Sequence, residues 1–245
     1  MKNICLIVEY LGTNYKGFQR QKNGITVQAV LEEAIFNAVG QRVTLTASGR
    51  TDAGVHAVGQ AVNFFTNCTV PPEKLSIAIN FHLPADISVI KSFEVPPKFN
   101  ARFSAKKKEY VYRICTNKHM SVFEGNRAMH YPYKVDYEVL KCALVKICGT
   151  HDFSSFMKTG GQVEDTVRTI YKADYKLDKK GILTLKFIGN GFLYNMVRIL
   201  VGTILEISSG KLAVNVLDEL LKGGRRPLAG KTAPACGLYL NKVWY

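Results

Sequence analysis

Acidic side chains are scarce in this 245-residue chain: 19 Asp and Glu stand against 33 Lys and Arg, a formal charge of +14. The imbalance favours a polyanionic partner, of which nucleic acid is the commonest, although a merely basic enzyme surface would give the same count. Long apolar runs are also missing, and none reaches the length of a membrane span. The opening "MKNICLIVEYLG" is broken by Glu9 and has no small-residue cleavage site, so it reads as a strand rather than a signal peptide, and a cytoplasmic location is expected. The six cysteines include no C-x-x-C pair, which predicts reduced thiols. Cys142 and Cys148 lie six apart on an expected helix, about 240° around its axis, and cannot share a metal, so no zinc is expected. Neither G-x-x-x-x-G-K-[ST] nor G-x-G-x-x-G occurs, which excludes the usual phosphate cradles.

What is present is an ordered alternation of two periodicities. Residues 4–10 read as a strand, and Val27, Val30, Leu31, Ala34, Ile35 and Ala38 recur at helical spacing between Thr26, a suitable N-cap, and Gly40. Val43, Leu45 and Ala47 alternate as a second strand, and residues 57–64 form a third. "PPEKLSIAINFHL" opens with prolines suited to a first helical turn, and Ile87, Val89, Phe93 and Val95 supply a fourth strand. The order β-α-β-β-α-β is that of the ferredoxin-like unit. It then repeats: strand "KEYVYRICT", a helix from Asp136 to Gly149, a hairpin of 166–177 and 182–189 across "DKKG", a helix over about 192–207, a short helix near 214–222, and a last strand "GLYLNKV". The expected fold is therefore α/β of the α+β kind: two ferredoxin-like repeats, residues 1–105 and 106–245, with mainly antiparallel sheets backed by helices. Neither half carries the aromatic signature of an RNA-recognition motif, which weakens a pure binding module.

The connection between strands two and three, "SGRTDAGVH", is longer than a turn requires, whereas its counterpart in the second repeat is the plain "DKKG". Asp52 could simply close an Asx turn there. It could also be chemical: Arg50 nearby favours the ionised carboxylate, making Asp52 a candidate nucleophile or base but not an acid. The loop lacks the second carboxylate that a glycosidase commonly uses.

"GRTDAGVHA" resembles the signature of the tRNA pseudouridine synthase A family, and five further stretches follow in that family's order: "YKGFQRQ" (15–21), "FNARFSA" (99–105), "KEYVYR" (108–113), "NGFLYNMVRILVG" (190–202) and "GLYL" (237–240). The resemblance implies isomerisation of uridine to pseudouridine at positions 38, 39 and 40 of the tRNA anticodon arm, by a homodimer needing no cofactor. It implies that Asp52 is the catalytic carboxylate, that Tyr110 packs on the target base, that Arg198 pairs with Asp52, and that Leu238 lines the pocket. Arg50 is placed with the substrate-binding residues. Without the resemblance, Tyr110 and Leu238 would read as core, while Arg198 in an apolar helix needs a partner in any case. Two positions depart from the pattern: Phe18 stands where many members have Trp, and Asn195 where many have His.

The chemistry needs few parts. The N1–C1′ bond breaks, the base rotates, and C5 bonds to C1′, with nothing oxidised or imported. An ionised carboxylate could attack C1′ or take a proton from C2′, and the base must first leave its stack, to be held in an expected active-site cleft between the halves. Lys106, Lys107, Lys108, Arg225 and Arg226 are candidate phosphate contacts or else solvated surface. The competing readings are an RNA-binding protein without catalysis and a nucleoside-cleaving hydrolase.

Overall fold

A computed structural model describes residues 1–158 and 163–245. In chain order the elements are β1 (Lys2–Tyr10), α1 (Val27–Val39), β2 (Thr46–Ala47), β3 (His56–Thr66), α2 (Leu75–Asn80), β4 (Ile87–Val95), β5 (Lys107–Cys115), β6 (Met129–His130), α3 (Tyr137–Lys146), β7 (Gly149–Asp152), β8 (Val167–Leu177), β9 (Ile182–Gly189), α4 (Met196–Ser208), α5 (Val216–Leu220) and β10 (Leu238–Trp244). They fall into two compact units, Met1–Lys106 with Tyr239–Tyr245, and Lys107–Leu238. Each unit is α+β, and its sheet is mostly antiparallel, as the alternation of periods implied.

In the first unit β1 is central, antiparallel to β3 on one side and to β4 on the other. Helix α1 starts where the Thr26 hydroxyl accepts the Ala29 N–H at 3.3 Å and ends at Gly40, and it buries Val27, Leu31, Ala34 and Ile35. The far edge of β3 is shared. Thr46 and Ala47 of β2 pair antiparallel with Asn63 and Val62, while Tyr239 and Leu240 of β10 pair in parallel with His56 and Ala57. The strand expected over 43–47 is cut to two residues because α1 side chains satisfy the preceding backbone: the Leu45 N–H donates to Glu32 Oε1 at 3.1 Å. The "SGRTDAGVH" connection thus leaves β2 and re-enters β3 beside the point where β10 joins it.

In the second unit β5 runs antiparallel to β9, β9 to β8, and β8 to β7, while β6 adds to β5 in parallel. Asp136 caps α3, its carboxylate accepting the Glu138 and Val139 N–H groups at 3.0 and 3.1 Å. Helix α4 is buried on nearly every face. It begins at Met196 rather than near 192 because Asn195 takes a left-handed conformation, φ 61°, which cannot lie inside a helix. The two-residue β6 and four-residue β7 lack the apolar alternation that would mark them in sequence.

Candidate active site

Asp52 is half-buried on a loop whose backbone is held from two sides. From the β1–α1 segment, the Phe18 N–H donates to the Thr51 carbonyl at 3.1 Å and the Tyr10 hydroxyl shares a buried 2.8 Å hydrogen bond with Thr51 Oγ1. The Gly54 N–H returns to the Tyr15 carbonyl at 3.3 Å, and the Val55 N–H closes a turn onto the Asp52 carbonyl at 3.1 Å. The same segment touches the loop at two glycines. A Cβ on Gly12 would overlap the Val55 carbonyl oxygen. One on Gly17, whose φ of +87° already disfavours a side chain, would stand 2.7 Å from the Thr51 oxygen. His56 Nδ1 accepts the Gly12 N–H at 2.9 Å, tying the start of β3 to that segment.

On the other side Gln60, fully buried on β3, reaches back to the loop's entry. Its Nε2 donates to the Gly49 carbonyl at 2.6 Å and its Oε1 accepts from Ser48 Oγ at 2.9 Å. Because the Gly49 carbonyl can only accept, the amide orientation is fixed. Arg50 follows immediately and is exposed, so the loop offers solvent a guanidinium and holds a carboxylate two residues on. Phe18 is a core residue, with its ring 6.2 Å from Tyr10. Tyr10, Gly12, Gln60 and His56 had no mark in the sequence beyond ordinary strand and loop types, since their contacts join residues far apart in the chain.

The other expected site residues belong to the second unit. Tyr110 on β5 is buried, its ring edge-on to Phe192 at 5.1 Å. Arg198, in the first turn of α4 and half-buried, donates from Nε to the Ala233 carbonyl at 2.8 Å and from Nη1 to Asn195 Oδ1 at 2.6 Å. Asn195 therefore does two things at once, tolerating the left-handed backbone that Asn and His adopt more readily than most residues and accepting from Arg198. Leu238 is buried at the start of β10. Nearby, Gly237 lies against the Tyr112 ring, whose hydroxyl donates to the Pro234 carbonyl at 2.6 Å. Burial pushes the Tyr112 hydroxyl well above its usual pKa, with Cys236 adding and the Arg198 guanidinium opposing, so it stays a neutral donor.

The cationic candidates divide. Lys106 and Arg225 are exposed, and Lys107 is exposed with its ammonium 5.1 Å from the Tyr171 ring centroid. The Arg226 guanidinium is spent locally, on the Ala229 and Gly230 carbonyls at 3.3 and 3.1 Å and on Thr232 Oγ1 at 3.2 Å. All six cysteines are free thiols, and burial pushes that of Cys5 up to about 12, so it is inert at neutral pH. No helix is long and apolar enough to cross a membrane among the described residues.

The first unit carries one carboxylate on a loop with a braced backbone and an exposed guanidinium two residues before it; the second, taken by itself, carries a buried tyrosine on β5 and an arginine in α4. A family model described as tRNA pseudouridine synthase matches residues 6–104 and 143–245. The tRNA pseudouridine synthase A of Acetivibrio thermocellus is 44% identical over 100% of both chains, and that of Geobacillus sp. (strain WCH70) is 47% identical over 100% of this chain and 98% of its own. A solved Cbf5–Nop10–Gar1 complex also matches, at a TM-score of 0.38 and 10% identity over 97% of this chain and 48% of that one, too distant to add to the assignment. With a braced single-aspartate loop inside the matched region and relatives similar from end to end, the chain belongs to the tRNA pseudouridine synthase family.

Proposed function

We propose that the chain isomerises uridine to pseudouridine in the anticodon arm of tRNA, at positions 38, 39 and 40, with Asp52 as the essential carboxylate. The observation that carries this reading is that the matched region includes a loop with one carboxylate, preceded by Ser48, Gly49 and Thr51, which Gln60 and Tyr10 hold by hydrogen bonds. A reacting group must be held to within a fraction of an ångström, and bracing of this kind is what such precision needs. Asp52 either attacks C1′ or removes the C2′ proton, and Arg50 meets the flipped nucleotide. Tyr110 packs on the base, Leu238 lines its pocket, and Arg198 pairs with Asp52. Isomerisation needs no cofactor. A homodimer holding one tRNA in the cytoplasm completes the proposal.

The test is incubation with unmodified tRNA followed by carbodiimide-directed primer extension. Wild-type protein is expected to give pseudouridine at those positions with RNA mass unchanged. Asp52→Asn is expected to abolish the product while tRNA affinity stays within about tenfold, because the phosphate contacts remain. A released base would mean hydrolysis, unchanged RNA would mean binding alone, and loss of binding together with activity would make Asp52 structural.

A further inference from the structure

Two buried asparagines in the first unit, Asn3 on β1 and Asn63 on β3, occupy positions where an apolar residue would fill a sheet core at lower cost. Their side chains grip a single stretch of chain. Asn3 Nδ2 donates to the Pro96 and Phe99 carbonyls at 3.1 and 3.0 Å, and Asn3 Oδ1 accepts from Asn63 Nδ2 at 2.9 Å. Asn63 Oδ1 accepts the N–H of fully buried Ala101 at 2.8 Å, and Tyr245 donates its hydroxyl to the Ala101 carbonyl at 3.0 Å. Beyond that anchor Asn100 Oδ1 accepts the N–H groups of both Arg102 and Phe103, at 2.9 and 3.1 Å, and the Ser104 N–H returns to the Asn100 carbonyl at 2.9 Å. A fully satisfied polar network of this sort specifies one conformation.

What the network displays is an aromatic ring in water. Phe103 is 79% exposed, with the Arg102 guanidinium 5.4 Å from its ring centroid and exposed Lys106 three residues on. Phe81 and Phe123 are as exposed, but among the described residues neither has a guanidinium over its ring. Phe103 contributes little to the core, so packing within its unit does not account for a large apolar ring on this turn. In a protein of charge +14 the matching surface is one that offers flat apolar faces beside phosphates. An unpaired RNA base fits both, stacking on the ring while the cation takes the phosphate.

We propose that the Asn100–Ser104 turn is an RNA-contact site, separate from the Asp52 loop, in which Phe103 stacks on an unpaired base of the tRNA and Arg102 pairs with an adjacent phosphate. The proposal rests on the tRNA reading above and adds a contact to it. It is tested by tRNA binding across a salt series for wild type, Phe103→Ser and Arg102→Gln, with melting curves and sedimentation of each. Phe103→Ser is expected to weaken binding about five- to hundredfold at every salt concentration, leaving the slope of log affinity against log salt unchanged. Arg102→Gln is expected to reduce that slope by about one. Both should melt and sediment as wild type does, since neither side chain is buried. Wild-type affinity in Phe103→Ser, with wild type still isomerising tRNA, would overturn this proposal alone. A change of oligomeric state in Phe103→Ser would overturn it too, by assigning the ring to contact with a second copy. Failure of wild type itself to bind or modify tRNA would instead overturn the functional reading on which it rests.

Discussion

Gln60 can be altered so that holding the Asp52 loop is separated from binding RNA. Gln60→Glu keeps the volume and the bond from Ser48 Oγ but replaces the donor to the Gly49 carbonyl with a second acceptor. The Gly49 oxygen then faces a carboxylate in a buried site, at a cost of about 1–3 kcal/mol in stability. The loop's entry should shift, and misplacement of about 1 Å at a reacting group can cost about a hundredfold in rate. The expected outcome is a kcat at least tenfold lower with tRNA affinity within about threefold of wild type, read by single-turnover isomerisation and filter binding. Equal losses in affinity and rate would mean that the substitution has disturbed the fold at large. The Asp52 loop was legible as a loop, because glycines flank the aspartate on a connection longer than a turn requires. Gln60 was not: on an alternating strand an inward Gln carries no sign of its partner twelve residues back.

Among the elements, β7 shows how a short strand can depend on side-chain chemistry. Asp152 ends it, Oδ1 accepting the Ser154 N–H at 2.9 Å and the Thr166 hydroxyl at 2.7 Å. Ser154 and Ser155 in turn accept the Gly224 and Arg225 N–H groups at 2.7 and 3.0 Å, so one carboxylate organises two connections. Burial alone would raise the Asp152 pKa, but the hydrogen bonds from Thr166 and Ser154 outweigh it and hold the carboxyl below its usual range. A folded pKa below the unfolded one stabilises the protein above the unfolded value, about 3.9, and that contribution is lost as pH falls through the folded value. Asp152→Asn should therefore melt below wild type at pH 7, with the gap closing under about pH 4, as followed by thermal denaturation across that range. A gap independent of pH would show that shape and not ionisation is what matters. The long elements were readable because their periodicity and caps, such as Thr26 and Asp136, are local. Strand β7 was not, because its reason for existing lies in Thr166 and in residues 224 and 225.

For the whole molecule, the mixed α+β character was legible because strand and helix periods alternate along the chain. The pairing of β10 was not, since Tyr239 and Leu240 lie parallel to His56 and Ala57 across more than 180 residues and periodicity does not name a partner. Charge is a property of the whole chain and gives the broadest test. With +14 spread over the sequence, several Lys and Arg side chains should neutralise phosphates at once, and each releases counterions. Six or more such contacts would weaken tRNA binding about a thousandfold between roughly 50 and 200 mM salt. The structure also says which cations should count. Exposed Arg225 is available to a phosphate, so Arg225→Gln should lower the slope of log affinity against log salt by about one and leave the melting temperature unchanged. Arg226 is committed to Ala229, Gly230 and Thr232, so Arg226→Gln should lower the melting temperature and change the slope less. A flat salt response in wild type would remove the case for a polyanionic partner, and equal slope changes in the two variants would show that hydrogen bonding within the turn does not keep Arg226 from the RNA.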